Sequence, residues 1–114
     1  MSLHGSCHCG NVTFTVEGTP EKVFECNCSY CSRKGWLIWM VPRSMLNIES
    51  GADGLETYLF NKREREHKFC PTCGVPPFSF AEFNGVPMAA VNARCLTDFD
   101  WTSLPREAVD GKSY

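Results

Sequence analysis

The sequence predicts an all-β domain, and three observations carry that prediction. Short apolar stretches recur along the chain, several of them alternating apolar with polar side chains, which is the period of a half-buried strand. Clusters of Gly, Pro, Asn, Asp and Ser separate these stretches at close intervals, as turns do. No segment carries the 3.6-residue apolar rhythm of a long amphipathic helix. The 114 residues suffice for one domain, taken as residues 1–114, with a modest core.

Gly5-Ser6-Cys7-His8-Cys9-Gly10 opens the domain, two cysteines flanked by glycines that let the backbone curl. Met1-Ser2-Leu3, ahead of it, carries no signal. Asn11 to Glu17 then alternates, with Val12, Phe14 and Val16 on one face, and Gly18-Thr19-Pro20 ends it. Val23-Phe24-Glu25-Cys26 reads as a strand that delivers the chain to the loop Cys26-Asn27-Cys28-Ser29-Tyr30-Cys31. The length and β-enriched residues of the apolar run Trp36 to Val41 predict a buried strand stopped by Pro42, with a helix the alternative that periodicity alone leaves open. Leu46 to Glu49 and Glu56 to Phe60 follow as strands on either side of the turn-rich Ser50 to Gly54. Phe69-Cys70-Pro71-Thr72-Cys73-Gly74 is a knuckle, and Phe78 to Phe83 and Val86 to Val91 form a hairpin through Asn84-Gly85. From Thr97 onward the chain reads as loop.

Composition narrows the function. A hydrophobic fraction of 43% and a charged fraction of 21% suit a soluble globular protein. No apolar run reaches the ~18 residues of a membrane span, and the N-terminus lacks the basic start and apolar centre of a signal peptide. The reducing cytoplasm is the expected compartment. A net charge of −2 offers nothing to a phosphate backbone, so nucleic acid and membrane are not expected partners. The one basic run, Lys62 to Lys68, is interrupted by Glu64 and Glu66 and reads as a solvated β-ribbon.

Eight cysteines are many for this length, and all but Cys95 fall in three tight clusters: Cys7/Cys9, Cys26/Cys28/Cys31 and Cys70/Cys73. A secreted disulfide scaffold scatters its cysteines through loops, whereas close spacing suits metal chelation. Zinc takes thiolates at about 2.3 Å in a tetrahedron, so its sulfurs lie roughly 3.8 Å apart. An extended strand would hold the sulfurs of Cys26 and Cys28 at about 7 Å, so the chain must bend there. In the knuckle, Pro71 fixes φ after the first ligand and Gly74 permits a left-handed bend after the second.

Clusters of two, three and two divide most simply into Cys7, Cys9, Cys70 and Cys73 around one zinc and Cys26, Cys28 and Cys31 around another. Four ligands close a structural site, whereas three leave an exchangeable position. Cys95 either closes the second site or is a buried apolar thiol, the reading preferred here. His8 and His67 lie near ligands and are expected to be partly exposed and structural; His4 carries no signal.

A three-thiolate zinc is electron-rich and a weak Lewis acid toward a carbonyl or water. It can still take an incoming thiol and lower its pKa, which points to sulfur chemistry rather than hydrolysis. The H-x-E and P-C-x-x-C motifs of zinc deaminases are absent from this sequence. Arg33 and Lys34 could meet the carboxylates of a small acidic thiol, with Arg33 the preferred contact, and Trp36 and Trp39 could wall the pocket. Surface charge and core packing are the competing explanations for these four.

The motifs Gly5-Ser6-Cys7-His8-Cys9-Gly10, Cys26-Asn27-Cys28-Ser29-Tyr30-Cys31-Ser32-Arg33 and Phe69-Cys70-Pro71-Thr72-Cys73-Gly74 resemble those of the glutathione-dependent formaldehyde-activating enzyme family, which includes centromere protein V type domains. The resemblance runs from Gly5 to about Leu96, and Val109 to Lys112 resembles the tail of short bacterial members. It implies a β-tent of small antiparallel sheets with two zincs. Cys7, Cys9, Cys70 and Cys73 then correspond to the structural ligands, and Cys26, Cys28 and Cys31 to the catalytic ones. The implied activity adds glutathione to formaldehyde, giving S-hydroxymethylglutathione, with a carbon–sulfur lyase as its reverse. Asn27 stands where that family usually has His, and Val75-Pro76-Pro77 replaces a more polar segment. Two rival readings are a non-catalytic zinc-stabilised interaction module, with Cys95 as an eighth ligand, and a redox repair enzyme, with Cys95 as its nucleophile.

Overall fold

The computed structural model describes residues 2–59 and 66–110. Among them are ten strands, one short helix and a few 3₁₀ turns. Strands β1 (Ser2–Ser6), β2 (Thr13–Glu17) and β5 (Leu46–Ser50) form an antiparallel sheet in the order β1-β2-β5. The second sheet contains β3 (Val23–Cys26), β4 (Ile38–Pro42), β6 (Glu56–Tyr58), β7 (Glu66–Phe69), β8 (Phe78–Phe83), β9 (Val86–Asn92) and β10 (Arg106–Val109). Its order is β10-β3-β4-β9-β8-β7-β6, with β10 parallel to β3 and the other pairings antiparallel. Helix α1 (Ser29–Lys34) lies between β3 and β4.

Alternation decides which side chains enter the core. In β2, Phe14 and Val16 are fully buried while Thr13 and Thr15 are half-buried. Phe14 meets Phe78 of β8 edge to face, ring centroids 5.4 Å apart, and so joins the two sheets. Leu3, Trp39 and Val91 pack into the same core. Gly5 is required there for space: a Cβ on it would lie 2.2 Å from the Phe14 ring.

The unbroken apolar run Trp36 to Val41 serves two faces at once. Leu37, Trp39 and Val41 join the main core, whereas Trp36 and Ile38, with Met40 against them, form a second cluster around Cys31. Period-two alternation places odd and even residues on opposite faces, and both faces are apolar because both are covered. Strand β4 is thus a wall between the core and the cysteine loop.

The hairpin β8–β9 turns through Asn84 and Gly85, with φ of 52° and 79°, the pair of positive φ values that a type I′ turn requires. Several expectations shift. Residues Ser2 and Leu3, without signal in the sequence, belong to β1, because pairing with β2 buries Leu3. The tail expected to be loop includes β10, whose parallel pairing with β3 no local pattern announces. The cysteine loop holds a helical turn in α1. The predicted strand over Trp36–Val41 begins only at Ile38, and that over Glu56–Phe60 ends at Tyr58, with Phe60 outside the described residues. Of the basic run, residues 62–65 are likewise outside them; Glu66 to Phe69 form β7, in which His67 is buried rather than partly exposed.

Candidate metal centres

Cys7 and Cys9 sit in the connection from β1 to β2, and Cys70 and Cys73 in the knuckle between β7 and β8. Packing of the smaller sheet against the larger brings these two distant loops together, and all four sulfurs lie within 4.8 Å of one another. Cys7 Sγ is 3.7 Å from Cys9 Sγ, which is 3.6 Å from Cys70 Sγ. Those are the edges of a zinc–sulfur tetrahedron.

Backbone geometry supports this cluster. The Val12 N–H donates to Cys7 Sγ at 3.3 Å. The Gly74 N–H donates to the Cys70 carbonyl at 2.7 Å, with Gly74 at φ 79° as the knuckle motif anticipates. The backbone N–H of Val75, foremost, draws the Cys73 thiol down to about 6, and that of Cys73 lowers Cys70. At Cys9 the Asn11 N–H pulls downward, but desolvation and the thiols of Cys70, Cys7 and Cys73 outweigh it and carry the group to about 11. Four sulfurs this close share protons unequally until a cation compensates their charge.

The second cluster is Cys26, Cys28 and Cys31, again with all sulfurs within 4.8 Å. Cys26 ends β3. Cys28 caps α1, accepting the Cys31 backbone N–H on its sulfur at 3.3 Å, so the helical turn supplies the bend that a strand cannot. Gly35 closes the turn, its N–H donating to the Cys31 carbonyl at 2.9 Å. Buried Trp36 donates its indole N–H to Cys31 Sγ at 3.3 Å. Desolvation pushes the Cys31 thiol up to about 12 against that donor. Desolvation also opposes ionisation of Cys28, but the Cys31 N–H leads the donors that bring it down.

Strand β10, missed from sequence, braces this loop. Val109 pairs with Cys26, the Val109 carbonyl accepts the Asn27 N–H at 3.1 Å, and Asn27 Nδ2 donates to Asp110 at 2.9 Å. Asn27 therefore points out of the cluster, which accounts for a non-ligating residue between two ligands.

Among the described residues, Cys95 joins neither group. It is buried in the main core, its Sγ 3.9 Å from the Pro76 carbonyl, and burial foremost pushes its thiol to about 12. It is thus the buried apolar thiol rather than an eighth ligand or an activated nucleophile. Every cysteine is free of disulfides. His8 is exposed, and His4 binds Asp98, its Nδ1 2.8 Å from Oδ2.

Two hollows flank α1. One, of about 410 Å³, has Cys26, Cys31, Trp36 and His67 in its wall together with residues of β4, β8 and β9. The other, of about 540 Å³, includes Tyr30, Arg33, Lys34 and Tyr58. The rings of Tyr30 and His67, 4.4 Å between centroids, stand between them; sequence reasoning gave Tyr30 no role, and only its position between two ligands hinted at one. Trp36 lines the first hollow, but Trp39 belongs to the core. Arg33 Nη1 donates to the Ser29 carbonyl at 2.8 Å, spending part of its fork on its own helix. Lys34 Nζ is buried, without a hydrogen-bond partner, 3.4 Å from the Trp36 ring centroid and 5.0 Å from that of Tyr30. Desolvation lowers its pKa to about 8 despite the thiols of Cys31, Cys95 and Cys28.

The two donor sets fit zinc. They are all-sulfur, backbone-supported and compact, one with four groups and the other with three.

Comparison with known proteins agrees with this architecture. A solved structure of a Rhodobacter sphaeroides protein is 30% identical, covers 92% of this chain and 100% of its own, and superposes with a TM-score of 0.80. Residues 2–108 match the family described as glutathione-dependent formaldehyde-activating enzyme. Both cysteine clusters and nearly all the strands fall inside that match, and the chain belongs to this family.

Proposed function

We propose that the protein is a zinc-dependent enzyme of the carbon–sulfur lyase class, which adds glutathione to formaldehyde to give S-hydroxymethylglutathione. Cys26, Cys28 and Cys31 hold the working zinc, and Cys7, Cys9, Cys70 and Cys73 hold a structural one. The observation that carries this reading is the convergence of three sulfurs, with no fourth side-chain ligand among the described residues, at the wall of a cavity. Family membership supports chemistry on glutathione and formaldehyde.

Zinc held by three thiolates supplies an open position and lowers the pKa of a thiol that takes it. The chain's own residues do the rest. Trp36 and the backbone N–H of Cys31 fix two of the ligating sulfurs by hydrogen bonds. Arg33, exposed at the second hollow, offers a cation for a carboxylate of the acidic thiol. His67, on the cavity wall with Cys26 and Cys31, can take the proton of the thiol and return it to the aldehyde oxygen once the carbon–sulfur bond has formed. The net reaction is an addition and consumes no oxidant. Unpaired thiols suit the cytoplasm as the place of action.

Cobalt-substituted protein tests the assignment. Glutathione should shift the absorption of one site toward an additional thiolate, and Cys28→Ser should abolish that shift while the fold persists. A folded Cys28→Ser protein that still captures glutathione sinks the assignment. Two unresponsive four-sulfur sites would return the interaction-module reading.

A further inference from the structure

Formaldehyde has two heavy atoms and takes about twice the ~30 Å³ of a water molecule in the liquid, yet the hollow beside Cys26 and Cys31 measures about 410 Å³. Its wall is overwhelmingly apolar. Phe24 and Met40 come from β3 and β4, Ala81 from β8, and Met88 and Ala90 from β9. Apart from the two thiols, His67 is the one titratable side chain in the described wall. Neither Arg33 nor Lys34 reaches it; both line the other hollow, across Tyr30. Glutathione carries two carboxylates and an ammonium, which this wall cannot pair. Charge complementarity therefore assigns the peptide to the cationic side and leaves the apolar hollow for the other reactant.

We propose that this hollow receives the apolar chain of an aldehyde larger than formaldehyde, holding its carbonyl carbon beside the sulfurs of Cys26 and Cys31. The inference rests on the reading of Cys26, Cys28 and Cys31 as the reacting centre and names its electrophile class. The glutathione sulfur bonds to the carbonyl carbon, and the π pair of the C=O bond moves to oxygen. The thiol's proton ends on that oxygen. The product is an S-(1-hydroxyalkyl)glutathione, and nothing is oxidised or reduced. Trp36, Ile38 and Met40, the even-numbered face of this run, form the floor of the pocket.

Unreactive n-alkanols from propanol to hexanol, titrated into zinc-loaded protein and followed by tryptophan fluorescence, test the fit. The dissociation constant should fall about fourfold per added methylene, because each buries a further increment of apolar surface. Ala90→Leu and Ala81→Leu fill the hollow from two different strands and leave every ligand in place. Each should weaken hexanol binding at least tenfold, while the cobalt spectrum still responds to glutathione. Hexanal should give its glutathione adduct with a higher kcat/KM than formaldehyde in the unmodified protein, and lose that advantage in both variants.

An alkanol series that is flat with chain length overturns the proposal, as does a hexanol response untouched by both leucines. Self-association that closes the hollow to alkanols would make a second copy its occupant and overturn the proposal too. The two layers separate cleanly. A normal glutathione response with a flat alkanol series refutes only the electrophile class, whereas no glutathione response refutes the reaction itself, and the aldehyde with it.

Discussion

Trp36→Phe is the perturbation that best separates the two metal sites. Trp36 is 5% exposed and gives its indole N–H to Cys31 Sγ at 3.3 Å. Phenylalanine keeps an aromatic ring in the second apolar cluster and removes one donor. A hydrogen bond to a charged acceptor is worth about 1.5–3 kcal/mol. Loss of an outer-shell donor typically costs about 10–100-fold in metal affinity, which is about 1.4–2.7 kcal/mol at 1.36 per decade. The two scales agree. Zinc should therefore bind about 10–100-fold more weakly at Cys26, Cys28 and Cys31 and unchanged at the four-cysteine site, because Trp36 packs outside the main core that contains Cys7 and Cys70. Competition with a chromophoric chelator resolves the two sites, and cobalt absorption identifies which one weakens. Trp39→Phe, in the main core, serves as the packing control. Equal weakening of both sites in Trp36→Phe would mean general loosening, and unchanged affinity would mean that the N–H does nothing for the metal; either result refutes the reasoning.

Lys34→Met should leave thermal stability equal or higher, because a buried ammonium without a hydrogen-bond partner is costly to desolvate. The lowered Lys34 pKa, about 8, means that the unfolded chain holds the proton more tightly than the folded one. Metal-free protein should therefore gain stability as pH rises above about 8, and Lys34→Met should lack that gain in a melting series. At the N-terminal edge, the Asp98 carboxylate raises His4 and His4 lowers Asp98. The histidine part is present at low pH and fades as pH rises through its raised pKa; the aspartate part is lost as pH falls through its depressed one. Hence His4→Ala should lower the melting temperature most between about pH 4 and 6.5, with a loss that shrinks in high salt. Gly5→Ala should cost about 1–3 kcal/mol in urea unfolding, since its methyl would press into the Phe14 ring.

What could be read from sequence followed from local rules. Alternation gave β2 and β8, Asn84-Gly85 gave the hairpin with both φ values positive, and cysteine spacing gave both donor sets as they converge in space. What escaped depends on partners remote in sequence. Strand β10 is short and has three exposed residues, so it carries no apolar rhythm; only the neighbouring edge of β3 orders it. His67 sits in a charged run that reads as solvated, and its burial follows from its pairing with Ser79 and its contact with Tyr30. Lys34 and Arg33 look equivalent in sequence, but one helix turn places Lys34 over Trp36 and returns Arg33 to Ser29.

The position of β4 sets the two cysteine clusters apart. Its odd residues belong to the core that includes Cys7 and Cys70, and its even ones to the smaller apolar cluster around Cys31. A metal held by the first cluster would tie the β1–β2 connection to the knuckle, residues about sixty positions apart, and with it the smaller sheet to the larger. Closing so long a loop restricts the unfolded chain far more than a local contact does. The second cluster spans only Cys26 to Cys31, closes almost no loop, and relies on Trp36 and β10 for support. Metal lost from the first cluster should loosen the sheet-to-sheet core, whereas metal lost from the second should leave that core intact. On loop length, then, the first cluster is the better placed of the two to stabilise the fold.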